Sequence, residues 1–162
     1  TDIYTLSLHD ALPILALKGS GKMTKLQAVR KFADLVAGEH VIITRSEDWA
    51  MSLNDPKPRL LVPTDLMKDD EGDKLFRVDF VTRCPMARGF ANVTISILHE
   101  VGHHFHREEY IFCDAEEYDN AHGADHFKLP CEVVATDWAI EWLQDPEHRR
   151  LAKQFERDFF GY

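Results

Sequence analysis

The run His99-Glu100-Val101-Gly102-His103 combines residue types and a spacing that suit metal-assisted hydrolysis. Residues i and i+4 of a helix project from one face, so His99 and His103 can offer two imidazole nitrogens to a single ion. Glu100 follows His99 directly, which places its carboxylate beside the ion without filling a ligand position. There it can take a proton from water whose acidity the metal has raised. Gly102 leaves room for a second element to pass close to the helix. The alternative is a polar helix face carrying hydrogen-bonded histidines.

A catalytic zinc takes three protein ligands and keeps one open position. A third ligand is therefore required. Six of the nine histidines fall between positions 99 and 126, and His106, one helical step beyond His103, is one candidate, although three ligands from one continuous helix make difficult geometry. Cys84 is another, as in the peptide deformylases, but the glycine-rich motif and the spacing of those enzymes are absent. His122 and His126, in the connection after the motif, are candidates to polarise a substrate carbonyl or stabilise its oxyanion.

The motif must sit on a helix, and the pattern predicts one from about Asn92 to His106, with Val93, Ile97, Leu98, Val101 and Phe105 on its apolar side. Upstream, Leu75 to Val81 alternates apolar and polar residues with a period of two, which predicts a half-buried strand; in the zincins, which the HExxH run resembles, a strand of this kind lies beside the metal helix and can pair with an extended substrate. Residues 69–73 read as a turn. A first helix is expected from Thr24, a capping residue, to Gly38, and short strands at Val41–Thr44 and Arg59–Val62. Residues 107–130 form a long acidic connection with a short helix near Asp114–Tyr118. Two further helices are expected, from Pro130 to about Leu143 and from Pro146 to about Phe160. The fold class is α+β.

With 162 residues, 18.7 kDa and 44% hydrophobic residues, the chain suits one compact domain. The net charge of -9 argues against binding nucleic acid. No apolar run approaches the roughly 20 residues that cross a bilayer. The three cysteines, Cys84, Cys113 and Cys131, have no metal-pair spacing and no disulfide framework, which suits the cytoplasm. Thr1 to Ile14, TDIYTLSLHDALPI, resembles the in-frame translation of a sequencing adapter and is set aside from fold reasoning. Residues 15–22 are an unassigned leader, and the domain is expected over 23–162, with Met23 as one candidate start and a missing start as the other. Gly19-Ser20-Gly21-Lys22 lacks the first glycine and the final Ser/Thr of a phosphate loop.

A family resemblance supplies the third ligand. The metzincin pattern fails, because Glu109 stands where its third histidine belongs and His106 where it needs glycine. HEVGHHFH followed by Glu132-Val-Val-Ala135-Thr136-Asp137-Trp138-Ala139-Ile140-Glu141-Trp142-Leu143 resembles the gluzincins, and among them the ImmA/IrrE-type metallopeptidases of bacteria, phages and mobile elements. Those proteins pair HExxH with a helix of pattern E-x-x-A-N-x-F-A-x-x-L-L. Glu132, Ala135, Trp138, Ala139 and Leu143 fall at corresponding positions, while Thr136 replaces the Asn and Trp142 the first Leu. The resemblance covers about residues 75–146 and implies a zincin-like domain, a small sheet beside the HExxH helix and a second ligand-bearing helix. It implies Zn2+ held by His99, His103 and Glu132, with Glu100 as the catalytic base. Asp137 is a candidate to orient one of the histidine ligands.

The expected activity is peptide-bond hydrolysis, in the form of limited proteolysis of a regulatory protein, with a protein or peptide as substrate and no nucleic-acid or membrane partner. The competing expectation is a zinc-binding sensor or interaction protein on the same scaffold with little or no catalysis. A DNA-linked protease resembling the SprT-like group is disfavoured by the acidic charge and the missing zinc ribbon.

Overall fold

The structure, a computed structural model, describes residues 22–111 and 113–162. The adapter-like segment, all but the last residue of the leader and the Gly19–Gly21 stretch lie outside the described residues. The elements in chain order are α1 (Lys25–Ala37), β1 (Ile42–Ser46), β2 (Ala50–Ser52), β3 (Arg59–Pro63), α2 (Glu71–Arg83), a 3-10 turn (Pro85–Gly89), α3 (Asn92–Phe105), α4 (Arg107–Ile111), α5 (Ala115–Asn120), a second 3-10 turn (Gly123–Lys128), α6 (Pro130–Leu143) and α7 (Pro146–Phe160). The class is α+β, mostly helical with one small mixed sheet.

α3 is the axis of the molecule. Every residue from Val93 to His103 is buried, the apolar Val93, Ile95, Ile97, Leu98 and Val101 together with the polar Thr94, Ser96, His99, Glu100 and His103. Its N-terminus receives no cap from Ala91. Instead Glu156 reaches over from α7, its Oε1 accepting from Ala91 N at 2.6 Å and from Thr94 Oγ1 at 2.8 Å. α1 closes the far side of the core. Thr24 and Gln27 form a capping box at its start, Gly38 ends it with φ 71°, and Phe32 stacks on Phe155 of α7 at 4.4 Å between ring centroids.

The sheet has the order β1-β3-β2, with β1 parallel and β2 antiparallel to the central strand. Alternation along β3 turns Leu60 and Val62 into the core, and Met51 of β2, paired with Leu60, joins them. β2 is an outer strand and packs beside α3. Arg107 holds the loop that follows it, donating to the carbonyls of Leu53 and Asp55.

The strand expected at Leu75–Val81 is a helix, α2. Phe76 and Phe80 both satisfy a period of two, but they are also one helical turn apart, and they alone of the segment are buried on one face. Val78, which a half-buried strand would place with them, is 64% exposed. The local signal is at the supposed turn: Asp70 accepts from Asp73 N at 3.0 Å while Asp73 accepts from Asp70 N at 2.9 Å, a reciprocal cap that commits the chain to a helix. Residues 75–81 therefore cannot pair with an extended substrate as a strand. Among the described residues no helix is long and apolar enough to cross a membrane.

Candidate metal centre

α3 and α6 build the centre, and a glycine sets their separation. A Cβ on residue 102 would stand 2.5 Å from the carbonyl oxygen of Ala135 and 3.1 Å from its Cα. The helices can approach this closely only because Gly102 has no side chain and because Ala135 and Ala139, both fully buried, are small. His99 and His103, one turn apart on α3, then face Glu132 in the first turn of α6.

The contacts are short. Glu132 Oε2 lies 3.0 Å from His99 Nε2 and 2.5 Å from His103 Nε2, while Glu132 Oε1 lies 2.5 Å from His126 Nε2. Glu100 Oε1 is 4.0 Å from His103 Nε2. On its other side, His99 Nδ1 is 2.9 Å from Thr136 Oγ1, a hydroxyl able to accept from or donate to that nitrogen. Phe76 packs edge-on against the His99 ring at 5.0 Å between centroids, and Phe127 packs on Phe76. The helix that replaced the expected strand thus braces a histidine of the motif.

His99, Glu100 and His103 form a buried group whose donor atoms all lie within 4.8 Å of one another, and this group could hold a metal ion. The surroundings separate the two glutamates. Burial pushes the Glu100 carboxyl above its ordinary acidity range, more than the nearby imidazoles pull it down. Burial acts on Glu132 in the same direction, but hydrogen bonds from His103, His126 and His99 outweigh it and hold this carboxyl far below the ordinary range. His103 and His126 are correspondingly raised: burial opposes charge on His103 but the Glu132 hydrogen bond overcomes it, and for His126 that hydrogen bond is the leading effect. Glu132 is thus held as an anion, whereas Glu100 has a raised proton affinity. Ligands at about 2.0–2.1 Å around a tetrahedral ion stand roughly 3.3 Å apart; the His99 Nε2–Glu132 Oε2 separation of 3.0 Å is near that value, and the His103 Nε2–Glu132 Oε2 separation of 2.5 Å is shorter.

The centre opens into a cleft of about 430 Å³. Trp49, Ala50 and Met51 of the β2 segment line one side, and Tyr118, His126 and Phe127 of the connection line another. At one end Lys68 bridges Asp48 at 2.6 Å, Asp70 at 2.9 Å and Asp73 at 3.0 Å, leaving that end with more negative than positive charge.

Of the residues singled out in the sequence, His99, Glu100, His103, Glu132 and His126 converge. Two do not. Asp137 is corrected as an orienting residue: its carboxylate pairs with Arg83 of α2 and is 62% exposed. One residue along a helix turns the side chain by about 100°, so the face that meets α3 carries Thr136 instead. His122 is exposed at the start of the second 3-10 turn and outside the cleft lining. His106 is exposed at the end of α3, and Cys84 lies 3% exposed among core side chains.

No family model, no curated protein and no solved structure matches this chain. Sequence reasoning missed β2, Phe76 and the place of Thr136. The first is only three residues long. Phe76 was read into the wrong period. Thr136 stood out only as a departure from the family pattern.

Proposed function

We propose that this protein is a zinc-dependent metallopeptidase of the gluzincin type, resembling the ImmA/IrrE enzymes, with His99, His103 and Glu132 as ligands and Glu100 as general base. One observation carries the reading: an HExxH pair and a glutamate from a second helix meet at a buried point, with Glu132 Oε2 within 3.0 Å of both Nε2 atoms. Two carboxylates, Glu100 and Glu132, are buried beside each other there, and a divalent cation offsets both charges. The nearest lysine of the cleft wall, Lys68, is already engaged with three aspartates.

When bound, zinc acts as a Lewis acid toward a carbonyl and lowers the pKa of water. Glu100 accepts the proton of the attacking water and passes it to the leaving amine, a role its raised proton affinity suits. Thr136 and Phe76 fix the His99 ring, and His126 holds one oxygen of Glu132 so that the other stays turned to the histidines. The outer edge of β2, beside α3, offers main-chain groups to an extended peptide in place of the strand expected at 75–81.

The deciding experiment is metal analysis of the purified chain together with cleavage of an unstructured, fluorescently quenched protein. His103→Ala and Glu132→Ala should lose zinc. Glu100→Gln should keep it while cleavage falls by about 10²–10⁴-fold. Zinc retained by Glu132→Ala at wild-type affinity would remove Glu132 from the ligand set. Cleavage unaffected by Glu100→Gln would remove Glu100 as the base, and zinc bound with no cleavage by the wild type would overturn catalysis and leave the zinc-sensor reading standing.

A further inference from the structure

Cys113 lies between α4 and α5, and Cys131 is the second residue of α6, directly before Glu132. Separated by 18 positions, their sulfurs are 3.2 Å apart, and both are free thiols. A disulfide needs about 2.05 Å between the sulfurs, so roughly one ångström of side-chain movement separates the pair from a bond. The third cysteine, Cys84, is buried in the core at 3% exposure. The residues of the connection that wall the cleft, Tyr118, His126 and Phe127, all fall between Cys113 and Cys131. This segment carries few buried groups of its own: α5 and the second 3-10 turn contain none.

We propose that Cys113 and Cys131 form an oxidisable dithiol whose disulfide closes the cleft-walling segment into a covalent loop anchored at the first turn of α6. The oxidant is a small-molecule disulfide of the glutathione class. Cys113, the more exposed of the two, loses its proton and attacks one sulfur of the oxidant; the oxidant's S–S bond breaks and one glutathione thiolate leaves. Cys131 then gives up its proton and attacks Cys113 Sγ, breaking the mixed disulfide and releasing the second glutathione. Two electrons pass from the protein to the oxidant, and the two protons end on the two glutathione thiols. Bond formation depends only on the placement of the sulfurs. Its bearing on the metal centre, through the tethering of His126 beside Glu132, rests on the metallopeptidase reading.

The test uses the whole chain as purified, treated with oxidised or reduced glutathione, then denatured and alkylated. The oxidised wild type should take up label at Cys84 only and yield a Cys113–Cys131 cross-linked peptide, whereas Cys113→Ser should label at both Cys84 and Cys131. Amide hydrogen exchange at residues 114–128 should slow at least several-fold on oxidation of the wild type and stay unchanged in Cys113→Ser. Three labelled cysteines after oxidation, a persistent mixed disulfide, or a cross-link through Cys84 would each overturn the dithiol. A correct cross-link with unchanged exchange would overturn the loop closure. Failure to bind zinc would sink the metallopeptidase reading and leave the labelling pattern as it was.

Discussion

Glu100 and Glu132 are both buried, yet their contacts drive their acidities apart, and this has consequences for the pH response of the metal-free protein. His103 and His126 are raised above the ordinary 6.5, so what they contribute to stability is complete below that value and is lost as pH rises through their folded values. Glu132 is depressed below 4.5, so its contribution is present above 4.5 and is lost as pH falls through its folded value. Glu100, raised above 4.5, costs stability increasingly as rising pH ionises it against the penalty of burial. The network therefore favours mildly acidic solution, and the Tm of metal-free protein should fall as pH rises from about 6.5 through the folded values of His103 and His126. Zinc competes with the same imidazole protons, so its affinity should rise over that range, measurable by competition with a chelating dye. Parallel rather than opposite trends would contradict the shared site. Thr136→Val, which keeps the side-chain shape but removes the hydroxyl facing His99 Nδ1, should weaken zinc binding by about 10–100-fold. Unaltered affinity would show that Thr136 only fills space.

At the scale of elements, the α3–α6 contact is the most constrained feature, since a methyl group at residue 102 would meet the Ala135 backbone at 2.5 Å. Gly102→Ala should destabilise the fold by about 1–3 kcal/mol in urea denaturation and lower zinc affinity, by moving both histidines away from Glu132. Ala135→Gly, which adds no bulk, should not reproduce the loss of affinity. Much of this arrangement was legible because the signals are local. Thr24, Gly38, Pro130 and Pro146 mark helix ends for reasons of hydrogen bonding and fixed φ, and α1, α6 and α7 begin or end at them. α2 was misread because Phe76, Val78 and Phe80 fit two periods over a short window, and the Asp70–Asp73 cap that separates them lies outside it. What sequence could not supply was relative rotation. Whether Thr136 or Asp137 meets the histidines depends on how α6 is turned about its axis, which its packing against α3 decides.

For the whole molecule, the proposed ligand set would couple metal to fold, because His99 and His103 come from α3 and Glu132 from α6, two helices that pack on one core. Zinc at about a hundred times its Kd should add ~2.7 kcal/mol of stability, a rise of roughly 5–10 °C in Tm for a chain of this size. A chelator should reverse it, and a Tm indifferent to zinc in a thermal scan would count against the centre. The sheet has a different consequence. β2 is only three residues long, and what its outer edge offers directly is peptide groups. An edge of that kind is blind to most of a substrate's amino-acid identity but not to its shape, since a segment already folded into a helix or sheet has no free backbone to give it. On the proposed peptidase function, susceptibility would be governed by how often a target's cleavage segment comes loose, making local unfolding in the substrate the step that selects what is cut.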